Sequence, residues 1–374
     1  MVILIKGKLE TLDYFIDAMA QGHDEVMVFD INNPEETLLP IVDKIDKDTL
    51  VVTFNNLGTS FDIWKSRGAK IVNIMVDHPA FYIPVISRDY YTGYYGACID
   101  RYHADYLKEL FPTVENSFLF LPHGGMDKGG MNYDKDIDIL YAGSFFNDDD
   151  INFPPLPFEH DSQQFYKFLL EYYKNDSNKE PQDVVKAYTQ YYGYTVSVEE
   201  YLVLTEYVLK TMGVAFQAIR RKRLIEELAM AGMKIHICGD DGWKEVTDKY
   251  PDNITFHGKF SPDECMDMIC RSKVLINDHP NFASGAHERV FNGMLNGTVV
   301  LSNYSEYLGE RFVDNKDILF WDGMNYVEAV NKVKTVLEDE SLRDGIVRNA
   351  YAKVQKDTWS DRLSEITSIF MGRQ

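Results

Sequence analysis

Ser284, Gly285, Ala286, His287, Glu288 and Arg289 stand in one run, and their types suit the holding of an anion. Small residues ahead of a helix leave backbone N–H groups free, and the positive end of the helix dipole lies with them. Such a terminus favours phosphate. Glu288 adds an acceptor for hydroxyl groups, and Arg289 a fork for phosphate oxygens. The run belongs to residues 274–303, which read as a buried strand, a polar loop, a short helix ending at Gly297 and a second apolar strand. A capped connection in an α/β core accounts for the same residues, so on this stretch alone both readings stand.

Three more strand ends in the second half carry glycine or polar punctuation: Gly143-Ser144, Gly239-Asp240 and His257-Gly258. In a parallel sheet all four ends fall on one edge, where glycine lets a ligand approach the backbone. The first half repeats the arrangement with turns at 55–58, 77–79 and 122–125. Asp77 and His78 follow the apolar run 71–76, and His123 sits between Pro122 and two glycines. Each is a candidate base for deprotonating a hydroxyl, although turn chemistry ahead of a proline also accounts for Asp77 and His78. The four cations at 220–223 read mostly as a solvated helix face. Arg221 is set apart, because it shares an inward stripe with Val214, Ala218, Ile225 and Leu228.

No metal site is expected. Asp148-Asp149-Asp150 reads as a solvated acidic loop. His279 and His287 lie eight apart across a loop, and the His287-Glu288-Arg289 run lacks the second histidine of the helical zinc motif.

The elements that must position these residues alternate strand and helix, the pattern of a parallel sheet with crossover helices. Strands are expected at 2–5, 25–30, 50–54, 71–76 and 117–121, then at 137–142, 234–238, 254–256, 274–277, 298–302 and 317–320. Residues 126–136 are polar and glycine-rich, like a linker. The rhythm breaks after residue 147, and 165–214 carries helical periodicity dense in Tyr, Leu and Glu, which reads as a helical insertion. A Ser261-Pro262 start with Glu264 predicts a capping box. A chain of 374 residues divides most naturally into two domains. The net charge of -21 opposes binding to nucleic acid or anionic lipid. No run suggests a transmembrane segment, and four cysteines without zinc spacing point to a reduced, cytoplasmic protein.

The segments YAGS, ICGDDGW, ITFHG, VLIND, GAHERVFNGMLNG and VVLSN, in that order around an Arg-rich helix, resemble the C-terminal domain of GT-B glycosyltransferases, glycosyl transferases group 1. The nearest resemblance is to the spore-maturation CgeB-like group, and the tail DTWSDRL shares it. The resemblance implies an α/β fold of two Rossmann-like, doubly wound domains facing a cleft, with a helical insertion at 147–214. The expected parts are an acceptor domain at 1–133, a nucleotide-sugar domain at 134–357 and a terminal helix at 358–374 crossing back to the first domain. It also implies a nucleotide-sugar donor (UDP or GDP among the candidates), a hydroxyl-bearing acceptor and no separate cofactor.

Carried over by position, Gly143 and Ser144 approach the diphosphate or sugar, and one or two of residues 220–223 face the diphosphate. Gly239, Asp240, His257 and Gly258 lie near the base. Glu288 takes the ribose hydroxyls, while Arg289 or the backbone at Gly285 and Ala286 meets the phosphates. One departure is plain: retaining members of the wider fold carry a glutamate eight positions before Glu288, where this chain has Pro280. Stereochemistry therefore stays open. So do two rival functions, a nucleotide-sugar epimerase and a catalytically silent binding module. The insertion covers the acceptor side, mediates homo-oligomer formation, or does neither.

Overall fold

The computed structural model describes residues 1–7, 9–145, 156, 161–175, 179–279 and 282–372. Lys8, the Asp148-Asp149-Asp150 run and Pro280 lie outside the described residues. The chain forms two compact units, Met1–Met126 with Val354–Gln374, and Asp127–Lys353.

The first unit is built on a parallel six-stranded sheet, β1 Val2–Lys6, β2 Val26–Asp30, β3 Leu50–Phe54, β4 Lys70–Met75, β5 Tyr94–Cys98 and β6 Phe118–Phe120, in the order β2-β1-β3-β4-β5-β6. Runs of Val, Ile and Leu in β1, β3 and β4 are buried on both faces, as parallel strands under helices must be. Strand β5 carries the sequence YYGAC. Gly96 and Ala97 in the middle of the strand interrupt the run of large apolar residues, which is why this strand is not among those expected above. The helix Trp359–Met371 belongs to this unit and packs on the helix Glu10–Ala20. Trp359 is 1% exposed and stands 4.9 Å from the Phe15 ring and 5.3 Å from the Phe54 ring. A capping box of Thr358 and Asp361 starts the helix, and Arg362 pairs with Asp357 while donating to the His123 carbonyl.

The second unit holds β7 Ile137–Ala142, β8 Ile235–Cys238, β9 Ile254–Gly258, β10 Ser272–Asn277, β11 Val299–Asn303 and β12 Leu319–Trp321, all parallel, in the order β12-β11-β10-β7-β8-β9. The order in which successive strands are laid down reverses between β7 and β10, and open α/β sheets bind ligands at such a switch point. Residues 127–136 are no free linker. The Asn296 side chain accepts the backbone N–H groups of Lys128 and Gly130, and Lys135 donates to the Cys270 and Asn296 carbonyls. Burial pulls the Lys135 ammonium down to about 8. The polar residues that suggested a linker are spent on tying this segment to the unit.

The insertion contributes helices Ser162–Asn175, Pro181–Tyr192 and Val198–Val208. These close over a core of their own that includes Phe165, Leu169, Val184, Tyr188 and Leu204. Among the described residues one helical run, Val198–Met230, is long and apolar enough to cross a membrane by length and composition. The sequence expectation set no such run. Half of its most apolar window is buried within the protein, and Leu204 and Val208 belong to the insertion core while Leu224 and Ile225 belong to the sheet core. All four cysteines are free thiols.

Candidate functional site

Four elements meet at the β7–β10 switch point of the second unit. The turn after β7 is tied at every residue. Gly143 N–H donates to the Cys238 carbonyl at 2.9 Å, and Trp243 Nε1 donates to the Gly143 carbonyl at 2.8 Å. Arg221 Nη1 donates to the Ser144 carbonyl at 2.8 Å, and both Asp240 oxygens accept from Phe145 N–H. Next along the edge, Gly239 N–H donates to the Gly258 carbonyl. A Cβ on Gly239 would stand 2.4 Å from the Gly143 carbonyl oxygen and 2.8 Å from Trp243 Cδ1. Gly239→Ala is therefore expected to pry the two strand ends apart at about 1–3 kcal/mol, read as a lower thermal midpoint. An unchanged midpoint would show that these ends can part freely.

Arg221 is 5% exposed, and its Nη2 donates to the Asp278 carbonyl at 3.2 Å. Burial lowers its guanidinium pKa from the ordinary value, and the neighbouring Arg289 and Arg220 charges add to that, while Asp278 opposes it. Arg220 is equally enclosed, at 2% exposure; it pairs with the Asp278 carboxylate and lies over the Trp321 ring. Gly323, at φ 84°, makes the room: a Cβ there would meet the Arg220 guanidinium at 2.8 Å. The solvated face expected for Arg220 is thus corrected. Lys222 is half-buried in an ion pair with Glu245, and Arg223 is exposed.

Arg289 enters from the helix Glu288–Leu295 and is braced against His287, with Nε 3.1 Å from Nδ1 and Nη2 3.1 Å from Nε2. His287 caps the helix by accepting Arg289 N–H, contacts Glu288 Oε2 at 2.7 Å and stacks on His279 at 3.9 Å. The remaining nitrogen, Nη1, points at Gly143, where a Cβ would come within 3.3 Å of it. Among the described residues, neither Arg289 Nη1 nor Arg221 Nε reaches a hydrogen-bond acceptor, although both are buried. Buried donors of this kind call for a partner. Beside them Tyr141 is fully buried, and its hydroxyl pKa is raised by burial while Arg221 and Arg289 counter the rise.

Gly143, Ser144, Arg221, Gly239, Asp240, Gly258 and Arg289 are therefore neighbours. Ser284, Gly285 and Ala286 are buried just ahead of the helix, with the Gly285 carbonyl held by Ser305 Oγ. The His257 ring turns elsewhere: its Nε2 lies 2.9 Å from His236 Nδ1, and burial lowers both pKa values. Asp278 and Tyr141 were not among the expected site residues, and within 220–223 only Arg221 had been singled out. The aspartate of VLIND was the available signal, since it directly follows a strand at the switch point.

In the first unit the three candidate bases have different surroundings. Asp77 is exposed, and its Oδ2 accepts from Asn55 Nδ2 at 3.0 Å and Tyr82 Oη at 2.8 Å. Asn55, at φ 47°, also accepts Val76 N–H, which fixes the turn after β4. Burial, and then the adjacent Asp77 charge, raises the Tyr82 pKa, so Tyr82 keeps its proton and Asp77 receives it as a hydrogen bond. His78 is 3% exposed, accepts Ala80 N–H and packs on His103 and Tyr106. His123 is 2% exposed, against Phe15 and Trp359.

Two Rossmann-like parallel sheets, the second with its polar edge at the switch point, define the GT-B glycosyltransferase fold. A family model described as "Glycosyl transferase-like" matches residues 220–368. No curated protein matches the chain. Among solved structures, HepE from Anabaena, in complex with UDP and glucose, is similar over 100% of both chains at 10% identity and a TM-score of 0.55. Sucrose-phosphate synthase from Thermosynechococcus elongatus is similar over 100% of this chain and 98% of its own, at 10% identity and a TM-score of 0.54. TarM from S. aureus, in a complex containing UDP, matches 88% of this chain at 11% identity and a TM-score of 0.52, and the match spans only 57% of TarM. At these identities the likeness establishes the fold.

Proposed function

We propose that the protein is a glycosyltransferase that moves a hexose from a nucleotide-sugar donor to a hydroxyl of a glycan, protein or small-molecule acceptor. The observation that carries this reading is the pair of buried guanidiniums at the switch point, Arg289 with its unpartnered Nη1 at Gly143 and Arg221 with Nη1 on the Ser144 carbonyl and an unpartnered Nε. A diphosphate supplies the acceptors they lack, and fixed cations stabilise it as a leaving group. Glu288, at the first turn of its helix, is assigned to the ribose hydroxyls. With two arginines in place for the phosphate charge, the reaction is proposed to need no metal. UDP is the first base to test, because HepE and TarM were solved with it. The segment resemblance supports placement in the CgeB-like group, and the four free thiols support a cytoplasmic protein.

Calorimetry against UDP, GDP, CDP and dTDP tests the donor site, and specific binding also raises the thermal midpoint. Arg289→Ala is expected to weaken the preferred nucleotide roughly 10–100-fold, the worth of a hydrogen bond to a charged group. Undiminished affinity in that variant would remove the assignment. Transfer should survive a chelator, and donor incubated alone should not be epimerised.

A further inference from the structure

We propose that Glu180, carried by the helical insertion, is a positioning residue that sets the backbone of the donor loop ahead of the helix Glu288–Leu295. This inference rests on the donor site proposed above. Glu180 directly precedes the helix Pro181–Tyr192 and is 2% exposed. Its Oε1 accepts Ala283 N–H at 3.1 Å, and Gln182 Nε2 donates to its Oε2 at 3.4 Å. From the opposite side the loop is held by the segment after β11. Glu306 N–H donates to the Ala283 carbonyl at 2.9 Å, and Ser305 Oγ donates to the Gly285 carbonyl at 2.6 Å. Asn303 bonds both backbone groups of His279.

Ala283 is thus gripped through both of its polar backbone groups, by the insertion on one side and the sheet edge on the other. The next three residues, Ser284 to Ala286, carry the peptide groups assigned to the phosphates. A carboxylate is a strong acceptor for such an amide, and a glutamate buried to this degree needs a donor. The bond therefore fixes the direction in which the following peptides face before any ligand arrives. It also gives the insertion a role: the residue that makes this contact directly precedes its helix Pro181–Tyr192.

The experiment measures UDP affinity by calorimetry, and the KM and kcat for UDP-glucose hydrolysis or transfer, in wild type, Glu180→Gln and Glu180→Ala. Glu180→Ala is expected to raise Kd and KM about tenfold, the equivalent of 1.4 kcal/mol, with kcat within about twofold of wild type. Glu180→Gln keeps an acceptor oxygen and should restore affinity to within about threefold. Should Glu180→Ala fail to fold, Glu180→Leu fills the same volume without an acceptor. In free wild-type protein the Ala283 amide should be protected from hydrogen exchange. An unprotected amide, or wild-type affinity in a folded variant without the acceptor, overturns the proposal. Absence of nucleotide binding by the wild type would instead overturn the donor site itself.

Discussion

Asp278→Ala is expected to destabilise the second unit by about 3–5 kcal/mol, the cost of removing one partner from a buried ion pair. Asp278 is 0% exposed, and its Oδ1 pairs with Arg220, itself 2% exposed. Its other oxygen lies 4.0 Å from Arg221 Nε, and its carbonyl accepts from Arg221 Nη2. The variant leaves two enclosed guanidiniums facing each other with no anion between them. A loss of this size lowers the thermal midpoint by roughly 6–20 °C for a unit of this length. Adding Arg220→Met should recover part of the loss, because it removes one stranded charge and leaves an apolar side chain against Trp321. A midpoint within about 1 °C of wild type would show that the pair contributes little. Nucleotide should raise the variant's midpoint more than the wild type's if the diphosphate replaces the missing anion.

Asp77→Asn should lower kcat by about 10²–10⁴, the usual contribution of general base catalysis, while leaving UDP affinity unchanged. The substitution keeps the shape of the turn after β4 and the bond from Tyr82, but removes the carboxylate proposed as the base for the acceptor hydroxyl. Of the three candidates Asp77 alone is exposed; His78 and His123 are enclosed among aromatic rings. Tyr82→Phe removes a hydrogen bond to the carboxylate, and a smaller drop in kcat is expected from it. Full transfer by Asp77→Asn would move the base elsewhere, and a matching loss of UDP affinity would point to a folding defect instead.

Much of this arrangement was legible because parallel strands announce themselves as apolar runs with glycine at their ends. Gly143, Gly239 and Gly258 were found that way, and all three strand ends adjoin one another. The inward stripe singled out Arg221 for the same reason, since helical periodicity reports which residues share a face. Arg220 escaped that logic. It lies on a helix covered on more than one side, and what admits its side chain is Gly323, about a hundred positions away. Glu180 was hidden similarly, because its partner is a backbone amide, and an amide leaves no trace in residue type. The His257 ring shows the converse limit. His257 lies inside β9 and not beyond the strand, and its side chain answers to His236 on the neighbouring strand.

The terminal helix has a bearing on how the protein is made. Trp359 fills the space between Phe15 and Phe54, so the first unit's core includes a ring that leaves the ribosome more than two hundred residues after Met126. At about 5–20 residues per second that interval lasts on the order of 10–50 s. During it the nascent N-terminal sheet carries an apolar gap where Trp359, Leu363 and Ile366 will dock, while the second unit, contiguous in sequence, can finish first. Emergence of the helix Trp359–Met371, and not of the first 126 residues alone, is what closes the first unit.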